Sequence, residues 1–197
     1  MSLHLDMLRH GETCGGGGFR GRLDDELSER GWSQLREATA EAGPWQRVIS
    51  SPLRRCAAFA SQLAAQRDLP FELEPQLREL DFGEWEGLTA ADLMTSHSED
   101  LARFWNDPYA FTPPQGEPVA DFEARVMAAL ERLTDRYSGE RVLLVTHAGV
   151  MRLLLAEARG LPRAQLLQVE VGHAALCGLT TGFHDATLWL EERCAPF

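Results

Sequence analysis

The sequence contains no lysine, and all 19 of its basic residues are arginine. Asparagine and isoleucine are almost absent as well, with Asn106 and Ile49 as their only representatives. These three residue types share AT-rich codons, so their scarcity is typical of a GC-rich genome. The absence of lysine excludes catalysis by a Schiff-base lysine and phosphate binding by a P-loop lysine. Every cation that remains is a planar, permanently charged group suited to phosphate and carboxylate.

Long apolar runs and paired cysteines are also missing. No segment reaches the roughly 18 apolar residues that cross a membrane, and the start of the chain, MSLHLDMLRH, has polar residues where a signal peptide is apolar. The cysteines form no CxxC pair, which favours reduced thiols over a disulfide framework or a zinc site; they are Cys14, Cys56, Cys177 and Cys194. The net charge of −11 argues against nucleic acid or an anionic membrane as a partner. We therefore expect a cytoplasmic protein.

The hydrophobic pattern alternates strands with helices, which favours an α/β fold. Strands are predicted at residues 3–8, 47–50, 71–74, 141–146, 168–180 and 186–191. Helices are predicted at 28–41, 52–67, 89–107 in one or two pieces, 119–137 and 148–158. The expected architecture is a three-layer α/β/α protein with a mostly parallel central sheet. The length suits one domain spanning residues 1–197, with residues 77–118 as a small helical insertion that covers a site.

Polar residues follow three of the predicted strands at the point where each strand ends. Arg9 and His10 follow the first strand, Arg54 and Arg55 lie shortly after the second, and His147 follows the apolar run VLLVT. Ligands of open α/β sheets bind beyond the carboxyl ends of the strands. Arginines and helix N-termini at that edge both favour an anion. The pattern therefore predicts a cationic, phosphate-binding pocket in an acidic protein.

Five segments in a fixed order resemble the signature motifs of the histidine phosphatase superfamily, also called the phosphoglycerate mutase-like family. They are LRHGET (8–13), SSPLRR (50–55), LRELDFGEWEG (77–87), GEPVADFEARV (116–126) and VTHAGVMR (145–152). The resemblance covers nearly the whole chain and implies the phosphoglycerate mutase-like form of the α/β/α fold.

The resemblance also implies roles for five residues. His10 would be the nucleophile that becomes phosphohistidine, and Glu79 would be the proton donor and then the proton acceptor. The phosphoryl oxygens would be bound by Arg9, Arg55 and a protonated His147. Composition alone leaves Asp81 open as the acid, while Glu84 and Glu86 are expected at the surface or in loop-fixing contacts.

The segment that follows the first motif resembles one branch of the family, and it differs from the usual family motif at one position. Many family members have an asparagine where this chain has Gly16, within the run Gly15–Gly18. The stretch Arg9–Trp32 resembles the α-ribazole-5'-phosphate phosphatase branch. Substrate contacts are therefore expected from Thr13, Gly16, Arg20, Arg22 and Ala148. Four aromatic residues are candidates either for stacking on the leaving group or for the core of the insertion: Trp85, Phe104, Trp105 and Tyr109.

Together these motifs imply a phosphomonoester hydrolase that works without metal or cofactor, through a phosphohistidine intermediate. The expected substrate is α-ribazole 5'-phosphate, an intermediate of cobalamin assembly. Two other functions on the same fold are alternatives: a broad small-molecule phosphatase and a phosphoglycerate mutase. A third, from another class, is a non-catalytic phospho-ligand binding module. The expected partner is a small phosphomonoester, and the sequence leaves a homodimer open.

Overall fold

The computed structural model describes residues 1–193, so Cys194 lies outside the described part of the chain. Six strands form one sheet: β1 (Leu3–Arg9), β2 (Arg47–Ser50), β3 (Phe71–Leu73), β4 (Arg141–Thr146), β5 (Leu176–His184) and β6 (Thr187–Arg193). The α-helices are α1 (Glu29–Thr39), α2 (Arg54–Gln66), α3 (Ala90–Ser96), α4 (Ser98–Asn106), α5 (Val119–Arg136) and α6 (Ala148–Ala158). Within residues 1–193, no helix has the length and apolar character needed to cross a membrane.

The sheet has the strand order β3-β2-β4-β1-β5-β6. The first four strands in this order pair in parallel, and β5 and β6 add an antiparallel hairpin to one edge. In the register, Arg9 of β1 lies opposite Thr146 of β4, and Ser50 of β2 lies opposite Val145. The carboxyl ends of these three adjacent strands therefore meet at one edge, as the sequence predicts.

Helices cover both faces of the sheet because the central strands are apolar on both sides. On one face, Leu143 and Val145 of β4 share a core with residues of α1 and α2. On the other, Val142 and Leu144 share a larger core with residues of α5 and α6. Each such side chain contributes about 1.5–3 kcal/mol when it is fully buried. The predicted three-layer α/β/α fold is confirmed.

Three predicted boundaries are wrong, one of them the end of the strand predicted over 168–180, which continues to His184. Helix α2 begins at Arg54 rather than at Pro52, with Leu53 in extended conformation at its N-cap. The strand predicted over 168–180 begins only at Leu176, since residues 163–168 form a 3₁₀ helix. The segment between them bends because its backbone bonds to the end of β1 instead of to a neighbouring strand: the Ala174 N–H donates to the His10 carbonyl at 3.3 Å.

Residues 77–118 contain a 3₁₀ turn (Gly83–Trp85), α3 and α4, built around an aromatic cluster. Trp85 is 1% exposed, and its ring lies 5.6 Å from those of Phe104 and Phe111. Phe19, from the loop after β1, packs 5.7 Å from Trp85. The cluster thus fastens this segment to the loop that follows β1.

The turn after β1 lies directly against the first turn of α1. A Cβ atom on Gly11 would come within 2.3 Å of the Gly31 carbonyl oxygen, and one on Gly31 would come within 2.0 Å of the Glu12 carbonyl oxygen. Glycine at both positions is therefore required for the backbones to approach this closely. The contact fixes where His10 lies relative to α1.

We expect Gly31→Ala to reduce the free energy of unfolding by about 1–3 kcal/mol, because backbone atoms cannot move aside as a side chain can. Denaturant unfolding measures the change. Gly17→Ala is the matched control, since no atom of residues 1–193 lies within 4 Å of the Cβ position at Gly17. Equal stability of the two variants would contradict the close approach.

Candidate active site

A cavity of about 640 Å³ opens at the carboxyl edge of the parallel strands. Seven residues predicted for the site line it: Arg9, His10, Thr13, Gly16, Arg20, Glu79 and Ala148. Three others do not reach its wall: Arg22, Arg55 and His147. Arg55 and His147 are fully buried behind His10, whereas the Arg22 side chain is 73% exposed and pairs with Asp81.

His10 is held as a neutral imidazole with one nitrogen available. Its Nδ1 lies 2.8 Å from the Gly11 carbonyl oxygen, which only accepts, so Nδ1 carries the proton and Nε2 carries the lone pair. Burial and the Arg55 charge lower the pKa of His10 to about 3, with smaller contributions from Arg9 and His173. The side chain is therefore unprotonated at neutral pH and has a lone pair on Nε2.

His147 lies beside His10, with the two ring centroids 5.4 Å apart. Its Nδ1 accepts from Arg55 Nε at 3.3 Å, which leaves its Nε2–H to donate to Ser51 Oγ at 2.7 Å. Complete burial lowers the pKa of His147 well below its ordinary value, and the Arg55 charge acts in the same direction. The expectation of a protonated His147 is therefore wrong for this state of the protein, in which it is a neutral donor.

Arg55 is completely buried, and backbone carbonyl groups surround its guanidinium group. It donates to the carbonyl oxygens of Leu23 at 2.5 Å, Arg20 at 3.1 Å and Gly21 at 3.0 Å. With the bond to His147, its guanidinium group makes four hydrogen bonds, and all three of its nitrogens are engaged. Arg55 therefore holds the loop of residues 20–23 against the strand edge and supplies a fixed positive charge behind His10.

Arg9 and Arg152 provide the cations that face the cavity near His10. Arg9 donates through Nη1 to the Val171 carbonyl at 2.8 Å, and its buried Nε has no partner within residues 1–193. Burial lowers the pKa of Arg9; Glu79 opposes this shift, and Arg152 reinforces it. Counting Arg20, three arginines line the cavity, and Glu79 is the one acidic residue of the described chain in its lining. The wall is cationic although the chain as a whole is acidic.

The Glu79 carboxylate is fixed by two backbone donors. It accepts from its neighbour Leu80 N–H at 3.0 Å and from Gly149 N–H, in the first turn of α6, also at 3.0 Å. A Cβ on Gly149 would lie 2.2 Å from Glu79 Oε1, so this glycine provides the space that the carboxylate occupies. Asp81, the other carboxylate left open by the sequence, accepts from the Gly83 N–H and pairs with Arg22 at 2.6 Å. The geometry favours Glu79, which lines the cavity.

Arg125 braces the backbone that carries Glu79. It donates to the carbonyl oxygens of Gln76, Arg78 and Glu79 at 2.5–3.0 Å, and it forms a two-bond ion pair with Glu117 at 2.6 and 2.8 Å. All three guanidinium nitrogens are thereby engaged. The segment GEPVADFEARV thus holds the backbone that carries Glu79.

Loop contacts explain the acidic segment and the glycine run. Glu86 accepts from the backbone N–H groups of Arg22 and Leu23 at 2.6 and 2.7 Å, which is the loop-fixing role expected for it. Gly18 adopts φ +119° and packs against the Leu88 carbonyl, where a Cβ would lie at 2.7 Å. Gly16 borders the cavity, and its Cβ position has no neighbour within 4 Å in the described part of the chain.

The four aromatic candidates divide between core and cavity. Trp85 is a core residue, and Tyr109 packs at the edge of the core without reaching the wall. Phe104 and Trp105 line the cavity together with Phe19 and Phe82. Trp105 is 47% exposed, so one ring at the mouth is free to contact a bound molecule.

Sequence reasoning missed Arg152, Gln168 and His173, all of which line the cavity. Arg152 lies four residues after Ala148 on α6 and hence on the same helical face, a spacing that indicates a shared cavity. His173 and Gln168 were hidden by the incorrect strand prediction over 168–180. Within residues 1–193, no three His, Cys, Asp or Glu side chains are grouped to hold a metal ion.

Comparison with known proteins agrees with this geometry. Residues 5–190 match the histidine phosphatase superfamily (branch 1), and the chain belongs to that family. The fold and the site thus define a phosphatase of the histidine phosphatase class.

Among its relatives, the adenosylcobalamin/alpha-ribazole phosphatase of Escherichia coli K12 is 29% identical over 94% of both chains. The glucosyl-3-phosphoglycerate phosphatase of Mycobacterium tuberculosis is 34% identical over 81% of this chain and 77% of its own. A solved structure of a mycobacterial glucosyl-3-phosphoglycerate phosphatase, in complex with VO3, superimposes with a TM-score of 0.85, 28% identity and 98% coverage of both chains.

We expect Gly149→Ala to lower kcat by about 100-fold, within the range of general acid–base effects, because the new methyl group displaces the Glu79 carboxylate. Stability should be retained, since alanine is a better helix former than glycine and the displaced atoms end a flexible side chain. Steady-state kinetics and thermal unfolding measure the two effects.

The matched control places Gly149→Ala in a Glu79→Ala background. There the methyl group meets no carboxylate, so the second substitution should cost nothing further. Additive losses in the double variant would show that Gly149 acts on something other than Glu79.

Proposed function

We propose that this protein hydrolyses phosphomonoesters in two steps through a phosphohistidine on His10. In the first step, Nε2 of His10 attacks phosphorus, and the bond from phosphorus to the ester oxygen breaks. The leaving oxygen takes a proton from Glu79. In the second step, Glu79 accepts a proton from water, whose oxygen attacks phosphorus and releases inorganic phosphate and free His10.

The single observation that carries this proposal is the fixed tautomer of His10. Attack requires a lone pair on the nitrogen that faces the cavity, and the Nδ1–H bond to the Gly11 carbonyl places that lone pair on Nε2. Arg9 supplies N–H donors at the same wall, and Arg55 and His147 lie directly behind. Positive charge that is already in place stabilises the charge that develops on the phosphoryl oxygens.

For the substrate, we propose α-ribazole 5'-phosphate. The relative from Escherichia coli named for this activity aligns over 94% of both chains. The cavity has room for a nucleotide-sized molecule, and the Phe104 and Trp105 rings supply an apolar wall for the base. Trp105 at the exposed mouth is positioned for stacking on a planar leaving group.

A second candidate is a phosphomonoester with a carboxylate in its leaving group. The observation in its favour is Arg152, which donates to the Val169 carbonyl through Nε at 2.9 Å and has no acidic partner within residues 1–193. A free guanidinium group in a cavity suits a carboxylate. The relative named glucosyl-3-phosphoglycerate phosphatase is consistent with such a substrate.

A substrate panel tests the proposal: α-ribazole 5'-phosphate, glucosyl-3-phosphoglycerate, 3-phosphoglycerate and p-nitrophenyl phosphate, each with wild type and His10→Gln. We expect phosphate release in the presence of EDTA, with the highest kcat/KM for α-ribazole 5'-phosphate and only background turnover for the variant. Trp105→Ala should raise KM for α-ribazole 5'-phosphate more than for p-nitrophenyl phosphate.

Three results would contradict parts of the proposal. Full activity of a folded His10→Gln variant would show that His10 is not the nucleophile. Strong inhibition by EDTA would show that the reaction needs a metal ion. A higher kcat/KM for glucosyl-3-phosphoglycerate, lost in Arg152→Leu, would replace the substrate with the second candidate.

A further inference from the structure

A third histidine lies at the cavity and is not used by the mechanism above. The ring of His173 is 5.8 Å from the ring of His10, and its side chain lines the cavity at the exposed rim. Its ring nitrogens make no hydrogen bond to any residue of the described chain, 1–193. The imidazole therefore has free donor and acceptor capacity beside the nucleophile.

The position of His173 is fixed by the end of β1. The Arg9 N–H donates to the Ala175 carbonyl at 3.0 Å, and Arg9 Nη1 donates to the Val171 carbonyl at 2.8 Å. The Ala174 N–H donates to the His10 carbonyl at 3.3 Å. Three bonds thus tie the short bend that carries His173 to the dipeptide Arg9-His10. The backbone of His173 is therefore held close to His10.

Charged groups from every neighbouring element act on His173. Arg9 and His10 face it from the end of β1, Glu12 from the next loop and Arg30 from α1. Burial lowers its pKa, Arg9 and Arg30 act in the same direction, and Glu12 opposes them. In the free protein the imidazole is therefore neutral at pH 7 and above. A phosphoryl dianion at His10 would add two negative charges, which favour the protonated form.

We propose that His173 is a phosphoryl-binding residue, which takes up a proton as the dianion enters and donates a charged hydrogen bond to one of its oxygens. The inference deepens the proposed function, since it places the phosphoryl group at His10. Protonated His173 would be a cation that is present only with the ligand. Arg55 does not supply such a cation, because backbone carbonyl groups hold its guanidinium group in place. A neutral rim in the free protein also avoids a further like charge next to Arg9.

The probe is inorganic phosphate, because its binding needs no turnover. Calorimetric titrations in two buffers of different ionisation enthalpy count the protons exchanged on binding, in wild type and in His173→Gln. Glutamine keeps hydrogen-bonding capacity but cannot be charged. His184→Gln is the matched control, since His184 is exposed at the end of β5 and pairs with its neighbour Asp185.

We expect His173→Gln to bind phosphate about 10-fold more weakly, at the low end of the range for a charge-assisted bond because the site is exposed. At pH 7.5 it should take up about one proton fewer per phosphate bound than wild type. The phosphate's own proton exchange is common to both proteins and cancels. The control should match wild type in both quantities.

Equal affinity and equal proton uptake in wild type and His173→Gln would overturn the inference. If the variant unfolds, the pKa of His173 is measured in the wild-type protein from its ring resonance by nuclear magnetic resonance. The inference requires this pKa to rise when phosphate is added. A pKa that stays constant under saturating phosphate would also overturn it. A protein with this proton uptake but no phosphohistidine would contradict the proposed function and support the phosphate site.

Discussion

The hydrogen bond from His10 Nδ1 to the Gly11 carbonyl is the interaction on which the site depends. It fixes the tautomer and therefore which nitrogen carries the lone pair. The carbonyl is in place because Gly11 and Gly31 let the turn after β1 lie against α1. The same dipeptide, Arg9-His10, anchors the bend of residues 171–175. His10, Arg9 and the bend at the rim are thus held together by one short piece of backbone.

The arginines of this lysine-free chain do two different kinds of work at the site. Arg55 and Arg125 each donate to three backbone carbonyl groups and hold the two walls, residues 20–23 and 76–79. Arg9 and Arg152 keep N–H donors turned to the cavity. Only a group with five donors in a rigid plane can bind several carbonyl oxygens at once while remaining charged. The negative net charge describes the outer surface and says little about the cavity.

Much of the fold could be predicted, because strands that are apolar on both faces and helices with one apolar stripe leave a clear pattern. The convergence of the strand ends followed from the parallel order. The errors lie where tertiary contacts override the local sequence pattern. The bend after residue 168 is formed by hydrogen bonds to β1, and the hydrophobic periodicity of the sequence does not indicate such bonds. His147 was assigned a proton because the family resemblance gives a role but not the burial or the neighbouring Arg55 charge that keep it neutral. Arg22 was expected at the substrate, yet its pairing with Asp81 depends on a contact across 59 positions of chain (81 − 22).

The most direct test of the central claim is to identify the phosphorylated atom. The wild-type protein is mixed with substrate, quenched at alkaline pH, where phosphohistidine survives, and digested. The phosphorylated peptide is then examined by mass spectrometry and by phosphorus nuclear magnetic resonance. Since Nδ1 of His10 is hydrogen-bonded to the Gly11 carbonyl, the phosphoryl group must be on Nε2 of His10. A phosphoryl group on Nδ1, or on any other residue, would contradict the account.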